Sequence, residues 1–416
     1  MKRREFIVNS LLTVAGTAVL GACGANDTNK QKKSGQTNRV VTRKFQHLDI
    51  PLLSFGCMRL PTINGQIDME HFEKMADYAM RHGVNYFDTA FMYHGGESEN
   101  ALGRVLSSYK RDSFFLATKN PLRALTSKAD VRRIFEEQLR KCRVDYFDFY
   151  LAHNISVLTI YNFRSFGVYE ELVKLKQEGL IKHLGFSYHG GAELLEEVAN
   201  EYPWEFCQIQ LNYLDWTAMN VRKNYRILTK AKIPVLPMTP LRGGALTRLT
   251  GSAAAVLANE APNDTQASFG LRWVAGRENN FTVLSGMSSL QQMEENVETF
   301  VNFRPFTKQE DEIAERISVI LQKKGEINCT TCNYCVDCPR GIAIPFIFDA
   351  YNEYRATGDA EAFLKRYDSL RARQKADRCI KCNFCNEQCP QLLNIPPLLE
   401  KVEETLKNLR AQQAVK

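Results

Sequence analysis

The sequence predicts an α/β protein: a (β/α)8 (TIM) barrel followed by a smaller, mainly helical domain rich in cysteine. Three observations carry that expectation. Short apolar runs alternate eight times with amphipathic stretches between about residues 48 and 303. The first run is followed by Gly56-Cys57-Met58-Arg59-Leu60-Pro61 rather than by the GxGxxG turn of a doubly wound sheet. Eight of the twelve cysteines fall in two tight groups, Cys329–Cys338 and Cys379–Cys389. The 416 residues divide into a leader and tether (1–40), the barrel (41–305) and the tail (306–416).

Composition limits the function classes. Hydrophobic residues make up 44% and charged residues 24%, the balance of a soluble globular chain. That excludes a disordered chain, a fibre and a polytopic membrane protein. Fifty-four basic against 47 acidic residues leave a net charge of +7. Over this length the excess is too dilute to point to nucleic acid.

The leader reads as an address. Arg3-Arg4-Glu5-Phe6 precedes a short, weakly apolar run, Ile7–Leu20, too short to span a bilayer core of about 30 Å. A basic start, an apolar stretch and a small-residue junction are the order of an export signal, set against a chance Arg-Arg pair before a poor core helix. The segment resembles a twin-arginine signal, which exports folded proteins. Leu20-Gly21-Ala22-Cys23 resembles a bacterial lipobox, which implies a lipid anchor to the membrane at Cys23. Residues 26–38 are polar and aperiodic, the pattern of a flexible tether.

The candidate barrel strands are Leu52–Gly56, Asn85–Thr89, Phe114–Thr118, Phe147–Ala152, Ile181–Ser187, Phe206–Leu211, Ile233–Met238 and Phe281–Leu284. Several are continuous apolar runs rich in β-branched and aromatic residues, as strands buried on both faces should be. Helical periodicity marks Val131–Cys142, Tyr169–Glu178 and Leu290–Val301 between them. Barrels of this kind place their chemistry at the carboxyl ends of the strands. Those ends offer Asp88 and Tyr93, then Lys119, then His153. Each alone has an ordinary explanation: a structural ion pair, a core histidine, a tyrosine at the barrel mouth. Together they make a proton donor and an oxygen-binding pocket for a C=O group. A tyrosine of ordinary pKa about 10 is a poor acid or base at neutral pH. A lysine beside it favours the phenolate, and a carboxylate keeps the lysine charged.

Residues 45–303 resemble the aldo-keto reductases. Asp88-Thr89-Ala90-x-x-Tyr93, Glu97-Ser98-Glu99, Leu102-Gly103, Thr118-Lys119 and His153 carry the resemblance. It implies hydride transfer between NADPH or NADH and a small carbonyl or alcohol substrate. It implies that Ser187 and Gln208 hold the nicotinamide amide, and that Glu295 and Asn296 lie at the adenine. Thr239, Pro240, Leu241 and Gly243 belong to the implied loop over the pyrophosphate. Tyr188 and His189 follow Ser187 where the family has Asn. Gly286 and Gln292 stand where the family carries a Lys and an Arg for the 2′-phosphate. Without those cations the phosphate loses charge-assisted partners, so the expected preference for NADP over NAD is weak. The stretch Asn154–Gly167 is the expected substrate loop.

The tail carries Cys329-x2-Cys332-x2-Cys335-x2-Cys338-Pro339 and Cys379-x2-Cys382-x2-Cys385-x3-Cys389-Pro390. The second has the spacing of bacterial 4Fe-4S ferredoxins, and the first differs only in its last gap. Zinc ribbons use two separate CxxC pairs, and disulfides between cysteines three apart are strained. The tail resembles the helical two-cluster ferredoxins, because Pro345–Lys375 looks helical with aromatic residues on one face. In two-cluster ferredoxins the fourth ligand of each cluster comes from the other motif. That implies Cys329, Cys332, Cys335 and Cys389 for one 4Fe-4S cluster, and Cys379, Cys382, Cys385 and Cys338 for the other. The shortened first gap leaves 3Fe-4S as an alternative for the first. Cys57, Cys142 and Cys207 read as small buried hydrophobes. Clusters are built in the cytoplasm, so folded export is the route that preserves them.

The expected function is an envelope-anchored NAD(P)-linked oxidoreductase whose clusters exchange electrons with a redox partner protein. The alternatives are an electron-transfer or docking subunit with a non-catalytic barrel, and a structural envelope protein.

Overall fold

The structure, a computed structural model, describes residues 38–323, 325–389 and 391–414. The twin-arginine segment, Cys23 and Pro390 lie outside the described residues. Eight parallel strands form the barrel: β1 (Leu53–Gly56), β2 (Tyr86–Asp88), β3 (Phe115–Asn120), β4 (Phe147–Ile155), β5 (Ile181–Tyr188), β6 (Phe206–Gln210), β7 (Val235–Met238) and β8 (Val283–Ser285). Their order is β7-β6-β5-β4-β3-β2-β1-β8. A parallel bridge between Val235 and Asn280, with Phe281 N–H donating to the Val235 carbonyl at 3.1 Å, brings β7 to β8 and nearly closes the cylinder. From β4 to β6 almost every residue is buried on both faces, which is why these runs read as continuous rather than alternating.

An antiparallel hairpin, Thr42–Phe45 with Leu48–Pro51, lies under the amino ends of the strands. Its Phe45 ring stands 4.6 Å from Phe281, 5.3 Å from Phe149 and 6.2 Å from Phe206. Aromatic packing thus fills the lower barrel and leaves the carboxyl ends for chemistry. β4 outruns its expected end at Ala152. A register irregularity between Ala152 and Ile155, with Asn154 in the left-handed region at φ 60°, carries it past His153. Asparagine tolerates that conformation better than most side chains.

The helix Lys308–Gln322 starts at a capping box, Thr307 with Glu310. Sequence position groups it with the tail. Its buried Ile313, Ala314, Ile317 and Leu321 instead join the barrel core, so the change of core falls after this helix. Arg272, 3% exposed, ties it down by donating to Asp264 at 2.6 Å and to Glu310 at 2.8 Å. Arg272→Met leaves two buried carboxylates with only Arg304 to share. It should cost about 3 kcal/mol, the lower end for breaking a buried pair, read as a lower denaturant midpoint.

The tail has its own core of Ile327, Ile347, Phe348, Tyr351, Phe363, Tyr367, Leu399 and Val402. The expected helical stretch is two helices, Ile344–Thr357 and Ala360–Asp368, turning at Gly358 with φ 77°. A third, Ile395–Ala414, completes it. Among the described residues, no helix is long and apolar enough to cross a membrane.

Candidate active site

The four strand-end residues meet at the carboxyl end of the barrel. Lys119 Nζ lies 2.6 Å from Asp88 Oδ1, 2.6 Å from the Thr89 carbonyl and 3.5 Å from the Tyr93 hydroxyl. Asp88 and Lys119 are each 1% exposed. Burial pushes the Asp88 carboxyl upward, opposed by Lys119 and by Gln208. The Tyr93 and His153 rings stand edge to face at 6.3 Å. Burial, with Lys119 and His189 adding to it, holds His153 well below its ordinary value, so the ring stays neutral. Tyr93 departs from expectation. A lysine neighbour alone lowers a phenol; here burial and Asp88 push Tyr93 well above the ordinary value. Tyr93 therefore keeps its proton at neutral pH. Beneath the site, Glu99 accepts from Thr118 at 2.7 Å and from Gln138 at 2.6 Å, fixing the end of β3.

One cavity of about 530 Å³, within the usual size range of ligand pockets, opens over these residues. It is lined by Asp88, Tyr93 and His153. All the residues implied for the nucleotide also line it: Ser187, Gln208, Thr239, Pro240, Leu241, Gly243, Gly286, Gln292, Glu295 and Asn296. Lys119 sits behind them. The chemistry of this lining fits a nucleotide. Gln208 Oε1 and Thr239 Oγ1 are buried polar atoms with no protein partner, which is costly unless something bound there pairs with them. Asn296 Nδ2 donates to Ser285 Oγ at 3.1 Å. Where the family has Asn after its serine, Tyr188 turns away to donate to the Gly191 carbonyl. His189 remains on the cavity wall, its imidazole pushed down to about 4 by burial, with Arg123 and Lys119 adding to it.

The segment after β8 has an unexpected cation. The Arg59 side chain packs beside Gly286, where an added Cβ would meet its Cδ at 3.3 Å. Arg59 Nη2 is turned to the tail, donating to the carbonyls of Thr330 (3.0 Å) and Thr331 (3.3 Å).

The tail covers the barrel mouth. Besides Arg59, Arg242 Nη2 donates to Asn328 Oδ1 at 2.7 Å, Arg248 pairs with Asp349 at 3.0 Å, and Arg123 donates to Gln388 Oε1 at 3.1 Å. Gly243, at φ 67°, lies under the Thr330 carbonyl, and an added Cβ would come within 2.4 Å of that oxygen. Thr330, Cys332, Tyr334 and Gln391 line the cavity from above. Tyr334 and Tyr93 line the same cavity, one from the tail and one from the barrel. No residue of the stretch 154–167 lines the cavity, and Val157, Leu158 and Tyr161 are exposed. On that side the cavity is thus walled by the tail instead of that loop. Nothing local marks Tyr334 for this place: within Cys332-Asn333-Tyr334-Cys335 it reads as a spacer.

Two small hollows lie among the tail cysteines. One is lined by Cys329, Cys332, Cys335 and Cys389, the other by Cys338, Cys379, Cys382 and Cys385. These are the crossed sets implied above. The short gap before Cys338 therefore affects a ligand of the second set and leaves the first with four thiols. Among the described residues no His, Cys, Asp or Glu group gathers tightly enough for a single metal ion. None of the eight is paired in a disulfide. Thiolates spread around a hollow suit the corners of a cluster, whose ligands are cysteine thiolates. Cys57, Cys142 and Cys207 are buried in the barrel.

Comparisons with known proteins agree with this division. The model of the aldo/keto reductase family matches residues 52–318, and that of the 4Fe-4S dicluster domain matches residues 328–394. The chain is 25% identical over 296 residues to an L-galactose dehydrogenase of Arabidopsis thaliana, covering 66% of this chain and 92% of that one. It is 25% identical over 221 residues to an NADP(+) aldo-keto reductase of Schizosaccharomyces pombe, covering 50% and 63%. A holo aldo-keto reductase of Bacillus halodurans shares the fold with a TM-score of 0.56 at 24% identity, over 67% of this chain and 96% of that one.

Proposed function

Because the chain belongs to the aldo/keto reductase family and ends in a 4Fe-4S dicluster domain, we propose that it is an NAD(P)-linked oxidoreductase. It interconverts a small carbonyl compound and its alcohol, and its clusters exchange electrons with a redox partner protein. One observation carries this reading: the proton donor, the neutral histidine and the nucleotide-facing residues share a single cavity. When bound there, NAD(P)H supplies the hydride. His153 holds the carbonyl oxygen through a ring N–H. Tyr93 gives that oxygen its proton, and Lys119, 3.5 Å away, stabilises the phenolate left behind. Asp88 keeps Lys119 charged and in place. In the tail, two 4Fe-4S clusters held by the two cysteine sets supply one-electron chemistry. The leader directs twin-arginine export and lipid attachment at Cys23, with the rest of the chain in the cell envelope.

Anaerobic purification, identification of any co-purified nucleotide, and iron and sulfide counts test the cofactors. Carbonyl-dependent NADPH oxidation tests the activity. The second reading, a barrel that binds nucleotide without turnover, draws on the closeness of Tyr334 to Tyr93. Cluster reduction by a partner with no carbonyl-dependent turnover would favour it.

The missing Lys and Arg give a further expectation. NADP(H) and NAD(H) should bind within a few-fold of each other in direct titrations. Gln292→Arg should tighten NADP(H) about tenfold relative to NAD(H), the worth of one charge-assisted hydrogen bond. A strong NADP preference in the unaltered protein would refute this.

A further inference from the structure

Thr330, Cys332, Tyr334 and Gln391 line two spaces at once: the barrel cavity and the hollow of Cys329, Cys332, Cys335 and Cys389. A single layer of the tail therefore separates the space over Tyr93 from the first cysteine set. Among the described residues, none that lines the second hollow reaches the cavity. The layer is anchored from below. Arg59 holds two of its carbonyls, and the Thr330 carbonyl packs against Gly243 so closely that only glycine fits. Thr330 is 3% and Gln391 8% exposed, and Gln391 Oε1 is buried without a protein partner.

We propose that Tyr334 is a positioning residue of the active site, and that this layer couples the cavity to the first cluster but not to the second. Nucleotide binding and the redox state of the first cluster then set each other's free energy. The inference rests on the reading above that the barrel binds NAD(P) and that both hollows hold clusters. The physical basis is charge across a thin, partly buried partition. A reduced cluster carries one more negative charge than an oxidised one. An oxidised nicotinamide ring carries a positive charge into the cavity that Cys332 lines. A partition sheltered in part from water screens such charges less than bulk solvent does. A ligand shifts an equilibrium only by its differential affinity for the two states, and the shift is reciprocal. The phosphates bring negative charge into the same cavity, over the loop where Gly243 presses against Thr330, so bound NADP+ shifts the first cluster's midpoint by the net of the two. Tyr334 belongs to the layer and lines the same cavity as Tyr93, so the setting of Tyr93 depends on the cysteine loop.

The test is an anaerobic potentiometric titration of the full-length, cluster-loaded protein, followed by electron paramagnetic resonance with and without saturating NADP+. Binding of NADP+ is measured separately by fluorescence, and iron is counted. One of two midpoints should shift by at least about 59 mV, the one-electron equivalent of a tenfold difference in NADP+ affinity. Tyr334→Phe, without nucleotide, should displace that same midpoint and should shrink the NADP+ shift. Gln391→Ala, in the same layer but outside the cysteine loop, should displace it too. Bound NADP+ that moves neither midpoint, moves both alike, or moves the one that Tyr334→Phe leaves alone overturns the inference. Failure to bind NADP+ or iron instead sinks the function proposed above, and this inference with it.

Discussion

Tyr93→Phe should lower carbonyl-dependent NADPH oxidation about 10²–10⁴-fold, the usual worth of a positioned general acid, while nucleotide binding and iron content stay intact. The ring keeps its place against His153, and only the hydroxyl beside Lys119 is lost. The pH dependence follows from the same surroundings. Burial and Asp88 hold Tyr93 well above its ordinary value, so it stays protonated through neutral pH. Carbonyl reduction, which needs the phenol, should be flat from neutral pH upward until Tyr93 titrates. Alcohol oxidation needs the phenolate and should rise with pH over that range. On the acid side His153 stays neutral well below its ordinary value, so its protonation should not limit the rate near pH 6. A steep loss of reduction between pH 7 and 8 would contradict this account of Tyr93.

The second large effect lies in the tail. Cys389→Ser should remove the cluster of the first motif, although Cys389 belongs to the second. Cys389 lines the hollow with Cys329, Cys332 and Cys335. Iron should fall from about eight to about four atoms per chain, because each 4Fe-4S cluster rests on four cysteines. Cys338→Ser should spare the first cluster and strip the second, whose hollow it shares with Cys379, Cys382 and Cys385. If each substitution instead emptied its own motif, the crossed arrangement would be wrong. Iron analysis with spectroscopy of the remaining cluster distinguishes the two.

Much of this was legible because it is written in short-range pattern. Strands buried on both faces leave continuous apolar runs, and the strand ends then name Asp88, Tyr93, Lys119 and His153 in order. The cysteine spacing marked the two cluster motifs, and the resemblance to two-cluster ferredoxins implied the crossed sets. What stayed hidden is docking between distant segments. Tyr334 and Tyr93 line one cavity although 241 residues separate them, and no periodicity records that. The helix Lys308–Gln322 carries an apolar stripe that suits either core, and only packing assigns it to the barrel. The net pKa direction of Tyr93 was hidden for a related reason: a lysine neighbour is visible in sequence, but the depth of burial that outweighs it is not.

Arg242 fastens the loop after β7 twice, by a buried ion pair with Asp215 at 3.0 Å and by its bond to Asn328 of the tail. The consequence concerns residence time. This is the loop that resemblance sets over the pyrophosphate, and if it opens to let a nucleotide out, both fastenings must loosen together. Dissociation should be slow even if affinity is ordinary. For a protein exported already folded, as proposed, the nucleotide becomes cargo: the molecule carries its own charge of coenzyme into a compartment that need not supply one.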